Sequence, residues 1–118
     1  MSIKSSVCSL DAVILIAADF EEQVRFYRDV LGLESISKSS ETAFFRCGEQ
    51  KLAIFSRSHH IEGTKRLGQA DHGISHLEFG VPHDKKDLIY KQLTEAGARA
   101  YGDNFEDADG NLFHFNFH

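Results

Sequence analysis

The residues best suited to chemistry in this sequence lie in residues 109–118, Asp-Gly-Asn-Leu-Phe-His-Phe-Asn-Phe-His. From Leu112 onward apolar and polar residues alternate, with Phe113, Phe115 and Phe117 between His114, Asn116 and His118. A period of two predicts a β-strand with two different faces. If the phenylalanine face packs against a helix, the polar face must meet water, an organic ligand or a metal ion.

A second histidine lies in a similar pattern, in Ile-Ser-His-Leu-Glu-Phe at residues 74–79. The run 74–81 predicts a strand whose apolar side faces a helix through Leu77, Phe79 and Val81. The opposite side of this strand then carries His76, Glu78 and Gly80. Both histidines are therefore predicted on strand faces that point away from the apolar core.

The elements that position these strands occur in the same order twice. In the first half, a strand at 13–17 leads into a helix, because Asp19 and Glu22 have capping-box spacing. Gly32 ends this helix, and its predicted buried residues are Phe20, Val24, Tyr27 and Leu31. Extended segments are then predicted at 33–37, 42–46 and 51–55, the last two as a hairpin through 47–50.

In the second half, the strand at 74–81 leads into a helix that opens at Pro82 and ends at Gly97. Its apolar residues are Leu88, Ile89, Leu93 and Ala96. Short extended segments follow, then the turn 107–111 and the final strand. Because one strand-helix-strands unit of this size rarely buries its helix alone, the two halves are expected to pack together.

Composition limits the function. The chain has 118 residues, 42% of them hydrophobic, and a formal net charge of −5 with a pI near 5.7. This charge argues against binding to nucleic acid or to an anionic membrane, each of which needs a basic patch. The apolar run 12–18 is shorter than the roughly 20 residues of a membrane helix. Cys8 and Cys47 are interpreted as reduced thiols, and a cytoplasmic location is expected.

Several other residues are predicted to have structural roles. Asp-Ala-Asp-Gly-Asn at 107–111 lacks the ligand spacing and terminal glutamate of a calcium loop and is predicted to be a turn. Tyr27 is predicted to contact the core, and Cys47 has no activating partner visible in the sequence. The connector histidines His59, His60 and His72 are predicted to be solvated.

Four segments together resemble one family: Ala-Asp-Phe-Glu-Glu-Gln-Val-Arg-Phe-Tyr-Arg-Asp-Val-Leu-Gly-Leu-Glu, His-Gly-Ile-Ser-His-Leu-Glu-Phe-Gly-Val, Leu-Thr-Glu-Ala-Gly-Ala-Arg-Ala and Asp-Ala-Asp-Gly-Asn-Leu-Phe-His-Phe. The chain resembles the glyoxalase, bleomycin-resistance and extradiol dioxygenase superfamily, also called vicinal oxygen chelate proteins. The resemblance implies an α+β fold, a single domain of two tandem βαβββ modules whose curled mixed sheet forms a cup. Module one covers about 8–56, the connector about 57–73 and module two about 74–118. Such single-domain chains commonly form homodimers.

The resemblance also implies a divalent metal in the cup, held by the first and last strands of each module. In module one the equivalent positions fall on Ala12 and near Ile54, which cannot bind a metal. In module two they fall on His76 and on His114, where the family more often has glutamate. Imidazole suits zinc, nickel, manganese or iron. Two histidines make an incomplete centre, and the candidates for a further donor are Glu78, Asn116 and Glu106.

Three functions remain open from the sequence. The first is binding of a small organic molecule in a half-apolar, half-polar cup lined by Ile14, Ile16, Glu78 and Asn116. The second is a divalent-metal-dependent lyase, isomerase or dioxygenase that uses His76 and His114. In that case Glu78 is the candidate catalytic carboxylate, although a solvated or hydrogen-bonded carboxylate is its simpler interpretation. The third is a pure interaction module.

Overall fold

The computed structural model describes residues 6–7, 9–59 and 76–118. Strand β1 (Ala12–Ala17) leads into helix α1 (Phe20–Arg25), which continues as a π-helical segment (Phe26–Val30). Strands β2 (Glu34–Lys38), β3 (Thr42–Cys47) and β4 (Gln50–Ser56) complete module one. The helix begins as predicted, because the Asp19 carboxylate accepts a 3.2 Å hydrogen bond from the Glu22 amide. The predicted hairpin is also present, with Gly48 at a φ of 62° in its two-residue turn.

Module two has the same order of elements. Strand β5 (Leu77–Val81) is followed by a 3₁₀ turn (His83–Lys85) and helix α2 (Lys86–Glu95). Strands β6 (Ala100–Tyr101), β7 (Asn104–Glu106) and β8 (Leu112–Phe117) then follow. The α+β prediction with two βαβββ modules is thus confirmed. Residues 74 and 75 of the predicted strand and most of the connector lie outside the described residues.

The described strands form two four-stranded mixed sheets rather than one continuous sheet. The orders are β1-β4-β3-β2 and β5-β8-β7-β6, and in each sheet the first and last strands of the module are parallel neighbours. One face of each sheet packs against the core. We call the opposite face the cup face.

A single hydrophobic core joins the two modules. It contains Val24 of α1, Tyr27 of the π-helical segment that continues α1, Leu93 of α2 and Phe113 of β8, all essentially inaccessible to solvent. The rings of Phe26 and Phe113 meet edge to face with their centroids 5.9 Å apart. The first helix therefore covers strands of both modules.

The burial of two apolar residues is not evident from the sequence. Leu88 is one of the apolar residues predicted in the second helix, but it is 60% exposed, and only Leu93 of α2 is fully buried. Ile54 was expected near a cup position, but it is fully buried in the core. Since Ile54 pairs with Leu15, its neighbours Ala53 and Phe55 occupy the cup face instead.

The turn 107–111 is fixed by a buried carboxylate. The Oδ2 atom of Asp107 accepts hydrogen bonds from the Tyr27 hydroxyl at 2.6 Å and from the Gln23 amide at 2.9 Å. Asn111 donates its side-chain amide to Oδ2 and its backbone amide to Oδ1, both at 2.9 Å. Tyr27 and the turn are thus structural, as predicted. Burial, followed by the adjacent Asp107 charge, raises the pKa of the Tyr27 hydroxyl.

Two further features concern the predictions on the cysteines and on membrane helices. Cys47 is an unpaired, half-buried thiol, as interpreted from the sequence, and burial raises its pKa. Within the ranges 6–7, 9–59 and 76–118, no helix is long and apolar enough to cross a membrane. Cys8, His60 and His72 lie outside the described residues.

Candidate functional site

The two predicted histidines lie together at the cup face of module two. Strands β5 and β8 are parallel neighbours, and their register places Glu78 beside His114 and Gly80 beside Asn116. His76 immediately precedes β5, and its ring centroid is 4.6 Å from that of His114. The alternation of both strands therefore brings His76, Glu78 and His114 to one place.

His114 is held on both sides of its ring. Its Nε2 atom lies 3.1 Å from Oε2 of Glu78, and its Nδ1 atom lies 3.3 Å from Oδ1 of Asn104. The His114 side chain is 29% exposed and that of Glu78 is 51% exposed. The imidazole is thus fixed by a carboxylate and an amide while one edge of the cluster remains open to solvent.

Whether these residues fit a metal ion depends on the number of donors. Two ligand atoms at roughly 2.0–2.1 Å from one tetrahedral ion lie about 3.3–3.4 Å apart, and the 3.1 Å between His114 Nε2 and Glu78 Oε2 is slightly shorter than this. However, the described part of the chain has no group of three His, Cys, Asp or Glu side chains arranged to hold an ion. The cluster therefore supplies a pair of suitable donors but not a complete metal site within these residues.

The other proposed donors are less well placed for this cluster. Glu106, on β7, forms an ion pair with Arg99 in which Oε2 lies 3.1 Å from Nε. Asn116 is exposed on β8, one cup-face position beyond His114. Glu106 is thus already engaged by a cation, whereas Asn116 is accessible to a ligand.

His118 also reaches the cup face. A methyl group added at Gly80 would lie 2.8 Å from His118 Nε2, so this ring covers the glycine directly. The His118 amide donates to the Val81 carbonyl at 2.9 Å, which extends the β5–β8 pairing to this residue. The alternating pattern in the sequence predicts the face on which His118 lies. Its close approach to Gly80 becomes evident only from the register between β5 and β8.

The apolar candidates lie on the other sheet. Ile14 and Ile16 occupy the cup face of β1, with Ala53 and Phe55 as their β4 partners. Ile14 is 48% exposed on this face, so its side chain is accessible to a ligand. The site predicted from sequence is thus divided between an apolar sheet face in module one and a polar face in module two.

Asn104 is a site residue that the sequence analysis did not identify. It lies on the three-residue strand β7, which has little periodic signal of its own. Phe105 pairs with Phe113, so the antiparallel register places Asn104 opposite His114. The contact between Asn104 and His114 follows only from the pairing of β7 with β8, because the length of the turn between these strands determines which residues face each other.

Comparisons with known proteins agree with this architecture. The metallothiol transferase FosB of Lysinibacillus sphaericus is 24% identical over 90 residues, which are 76% of this chain and 60% of FosB. The chain therefore spans about three fifths of that relative. A lactoylglutathione lyase structure from Agrobacterium tumefaciens is 23% identical, with a TM-score of 0.62 and 93% of each chain covered.

A third similar protein is the fosfomycin resistance protein FosX of Listeria monocytogenes, whose structure is a complex with Mn(II) and a sulfate ion. It is 17% identical, with a TM-score of 0.69 over 92% of this chain and 91% of FosX. At these identities the solved structures establish the fold. The family model for the Glyoxalase/Bleomycin resistance protein/Dioxygenase superfamily matches residues 9–115, and with two βαβββ modules in place the chain belongs to this superfamily.

Proposed function

We propose that this protein binds a small organic molecule in a cup formed by the polar face of module two and the apolar face of module one. The observation that carries the proposal is the cluster of Glu78, His114 and Asn104, which is hydrogen bonded and open to solvent on one side. Asn116 extends this polar surface, whereas Ile14 and Ile16 supply apolar contacts. A ligand with an apolar body and a few heteroatoms matches such a surface.

The proposed cup is completed in a homodimer. The polar and apolar sets lie on different sheets, so a second copy of the chain can bring the two cup faces together. The partly exposed Ile14 gives such an interface an apolar contact. The proposed unit is one domain comprising both modules, located in the cytoplasm. A monomer in light scattering across micromolar concentrations would contradict the dimer.

Ligand screening tests the binding proposal directly. Fragment-sized organic molecules would be screened by ligand-observed NMR against the unchanged chain, His114→Ala and His59→Ala. His59 is the matched control for a histidine beside a glutamate, because its Nδ1 atom lies 3.5 Å from Glu41 Oε2 but the residue belongs to the connector and not to the His114 cluster. Hits should weaken at least about tenfold, or 1.4 kcal/mol, with His114→Ala and persist with His59→Ala. Equal binding to all three proteins would refute the assignment of the site.

The alternative is a divalent-metal-dependent lyase, isomerase or dioxygenase that uses His76 and His114. The observation favouring it is the closeness of the two imidazoles, since the ring centroids of His76 and His114 lie 4.6 Å apart beside the Glu78 carboxylate. The Mn(II) in the FosX structure adds a precedent within the same fold. Glu78, proposed as the catalytic carboxylate in this case, or a residue of a second chain, would have to complete the site.

Elemental analysis separates the two proposals. Untagged protein purified without chelator would be analysed for zinc, nickel, manganese and iron, together with His76→Ala, His114→Ala and the control His59→Ala. Near-stoichiometric metal that disappears only in the first two variants would establish the alternative. Metal absent from all four proteins, with no thermal shift on adding each ion, would eliminate it. The search for function would then concentrate on ligands rather than on reactions.

A further inference from the structure

An apolar cleft lies between the end of the π-helical segment of module one and helix α2 of module two. It has a larger part of about 310 Å³ and a smaller part of about 200 Å³. Leu31, Val81 and Ile89 line both parts, which are therefore adjacent. Neither Glu78 nor His114 lines the cleft, so it is separate from the polar cluster of the cup. The larger part lies at the lower end of the roughly 300–1,000 Å³ that is typical of ligand pockets.

One side of α2 forms a wall of this cleft. Lys85, Leu88, Ile89 and Gln92 line it, and their spacing of three or four residues places them on one side of a helix. Ile89 is partly buried and packs against the hydrophobic core, whereas Leu88 is 60% exposed. The facing wall is apolar and includes Val30 at the end of the π-helical segment. Leu88 thus belongs to a concave apolar surface that a ligand can cover.

The cleft contains a single charged group among the described residues, the ammonium of Lys85. Lys91 of the same helix forms an ion pair in which Nζ lies 3.9 Å from Glu95 Oε1. Lys85 has no such ion pair within the described part of the chain, although Asp84 and Asp87 are close to it in sequence. Its positive charge is therefore available to a ligand and, beside apolar walls, favours a negatively charged group.

We propose that this cleft binds a small aliphatic carboxylate, with the aliphatic chain between the two helical segments and the carboxylate at Lys85. Apolar walls favour the chain, because each methylene group removed from water adds to the free energy of binding. The ammonium of Lys85 distinguishes a carboxylate from a neutral or cationic head group. The Gln92 side-chain amide, which also lines the cleft, can donate a further hydrogen bond to the carboxylate. This site is independent of the ligand proposed for the cup.

Three probes with the same aliphatic chain test the head group. Octanoate is negative near neutral pH, octanamide is neutral and octylamine is positive. Binding is followed by the Leu88 and Ile89 methyl resonances in ¹H–¹³C spectra of methyl-labelled protein. Lys85→Gln removes the charge from the cleft. Lys86→Gln is the matched control, because Lys86 lines neither part and its Nζ lies 5.3 Å from the centroid of the Phe117 ring.

Octanoate should shift both sets of methyl resonances saturably. Its Kd should rise about threefold to tenfold with Lys85→Gln and change less than about twofold with Lys86→Gln. Octanamide should bind the unchanged chain more weakly than octanoate does, and octylamine more weakly still. Added salt should reduce the preference for octanoate over octanamide, because it screens the charge of an exposed lysine.

Two further variants separate the chain contact from the charge and the cleft from the cup. Leu88→Ala should weaken octanoate and octanamide by the same factor, since it removes apolar surface only. His114→Ala should leave octanoate binding unchanged, so a failure of the cup proposal would not affect this one. Far-UV circular dichroism and urea unfolding confirm that each variant is folded.

Four results would overturn the proposal. The first is the absence of saturable shifts with octanoate, and the second is an equal effect of Lys85→Gln and Lys86→Gln. The third is octanoate binding that shifts the Ile14 and Ile16 methyl resonances instead, which would place the probe in the cup. The fourth is a shift of the Leu88 methyl resonances on dilution without any probe, which would assign the cleft to a second copy of the chain.

Discussion

Replacement of Tyr27 by phenylalanine removes a fully buried hydroxyl that donates a 2.6 Å hydrogen bond to Asp107. Hydrogen bonds to charged groups contribute about 1.5–3 kcal/mol. Gln23 and Asn111 still donate to the same carboxylate oxygen in the variant. The cost should therefore stay below the roughly 3–5 kcal/mol that follows when a buried charge loses its partner. We expect Tyr27→Phe to lower the free energy of unfolding by about 1.5–3 kcal/mol.

The same contact makes stability depend on alkaline pH. Burial and the nearby Asp107 charge raise the pKa of Tyr27, so the folded chain keeps the phenolic proton where the unfolded chain releases it. The free energy of unfolding therefore falls as the pH rises above about 10, the ordinary tyrosine value. Phenylalanine has no such proton. The stability difference between the two proteins should shrink by about 1.4 kcal/mol between about pH 8 and pH 11.

Urea unfolding followed by far-UV circular dichroism at both pH values provides the measurement, with equal slopes required for a valid comparison. Tyr101→Phe is the control, because Tyr101 is 68% exposed and should change stability by less than about 0.5 kcal/mol. A loss below about 0.5 kcal/mol for Tyr27→Phe would refute the stabilising role of the hydrogen bond. A difference that is independent of pH would refute the coupling to the tyrosine proton.

Three other perturbations test the packing and the electrostatics of the fold. Leu93→Ala should lower the free energy of unfolding by about 2–5 kcal/mol in urea titrations, because Leu93 is inaccessible to solvent. Leu88→Ala should change it by less than about 0.5 kcal/mol, because Leu88 is 60% exposed. Burial, followed by nearby carboxylates, raises the pKa of Asp109, so the contribution of this group to stability is lost as the pH rises through that pKa. The variant Asp109→Asn should therefore gain stability relative to the unchanged chain between about pH 4 and pH 7. A difference in the free energy of unfolding between the two proteins that is the same at both pH values would contradict this. Gly80→Ala should displace the His118 ring, because the added methyl group would lie 2.8 Å from Nε2, and unchanged His118 side-chain resonances would refute this contact.

Local patterns in the sequence predict the elements of this fold well. Alternating phenylalanines predict the final strand, Asp19 marks the start of the first helix, and Gly32, with a φ of 77°, follows the end of its π-helical continuation. Each of these signals depends on residues within one element or one turn. The sequence therefore also predicts that His114 lies on a polar strand face.

Contacts between residues that are far apart in the chain could not be predicted from local sequence patterns. Gln23 is a polar residue at zero exposure, and its burial is explained only by hydrogen bonds with Asp107 and the Ala108 amide, more than 80 residues away. Leu88 is the opposite case, because it is an apolar helix residue that nevertheless lies in solvent. The same limitation concealed Asn104, whose importance depends on the register between β7 and β8.

The Asp107 carboxylate gives the two repeated modules unequal physical roles. Module two contains the acceptor, but two of its donors, Gln23 and Tyr27, belong to module one. An isolated second module would lose both donors as well as the Phe26 ring that packs on Phe113. The modules are therefore similar in the order of their elements but not autonomous in folding, and the chain should unfold cooperatively as one unit.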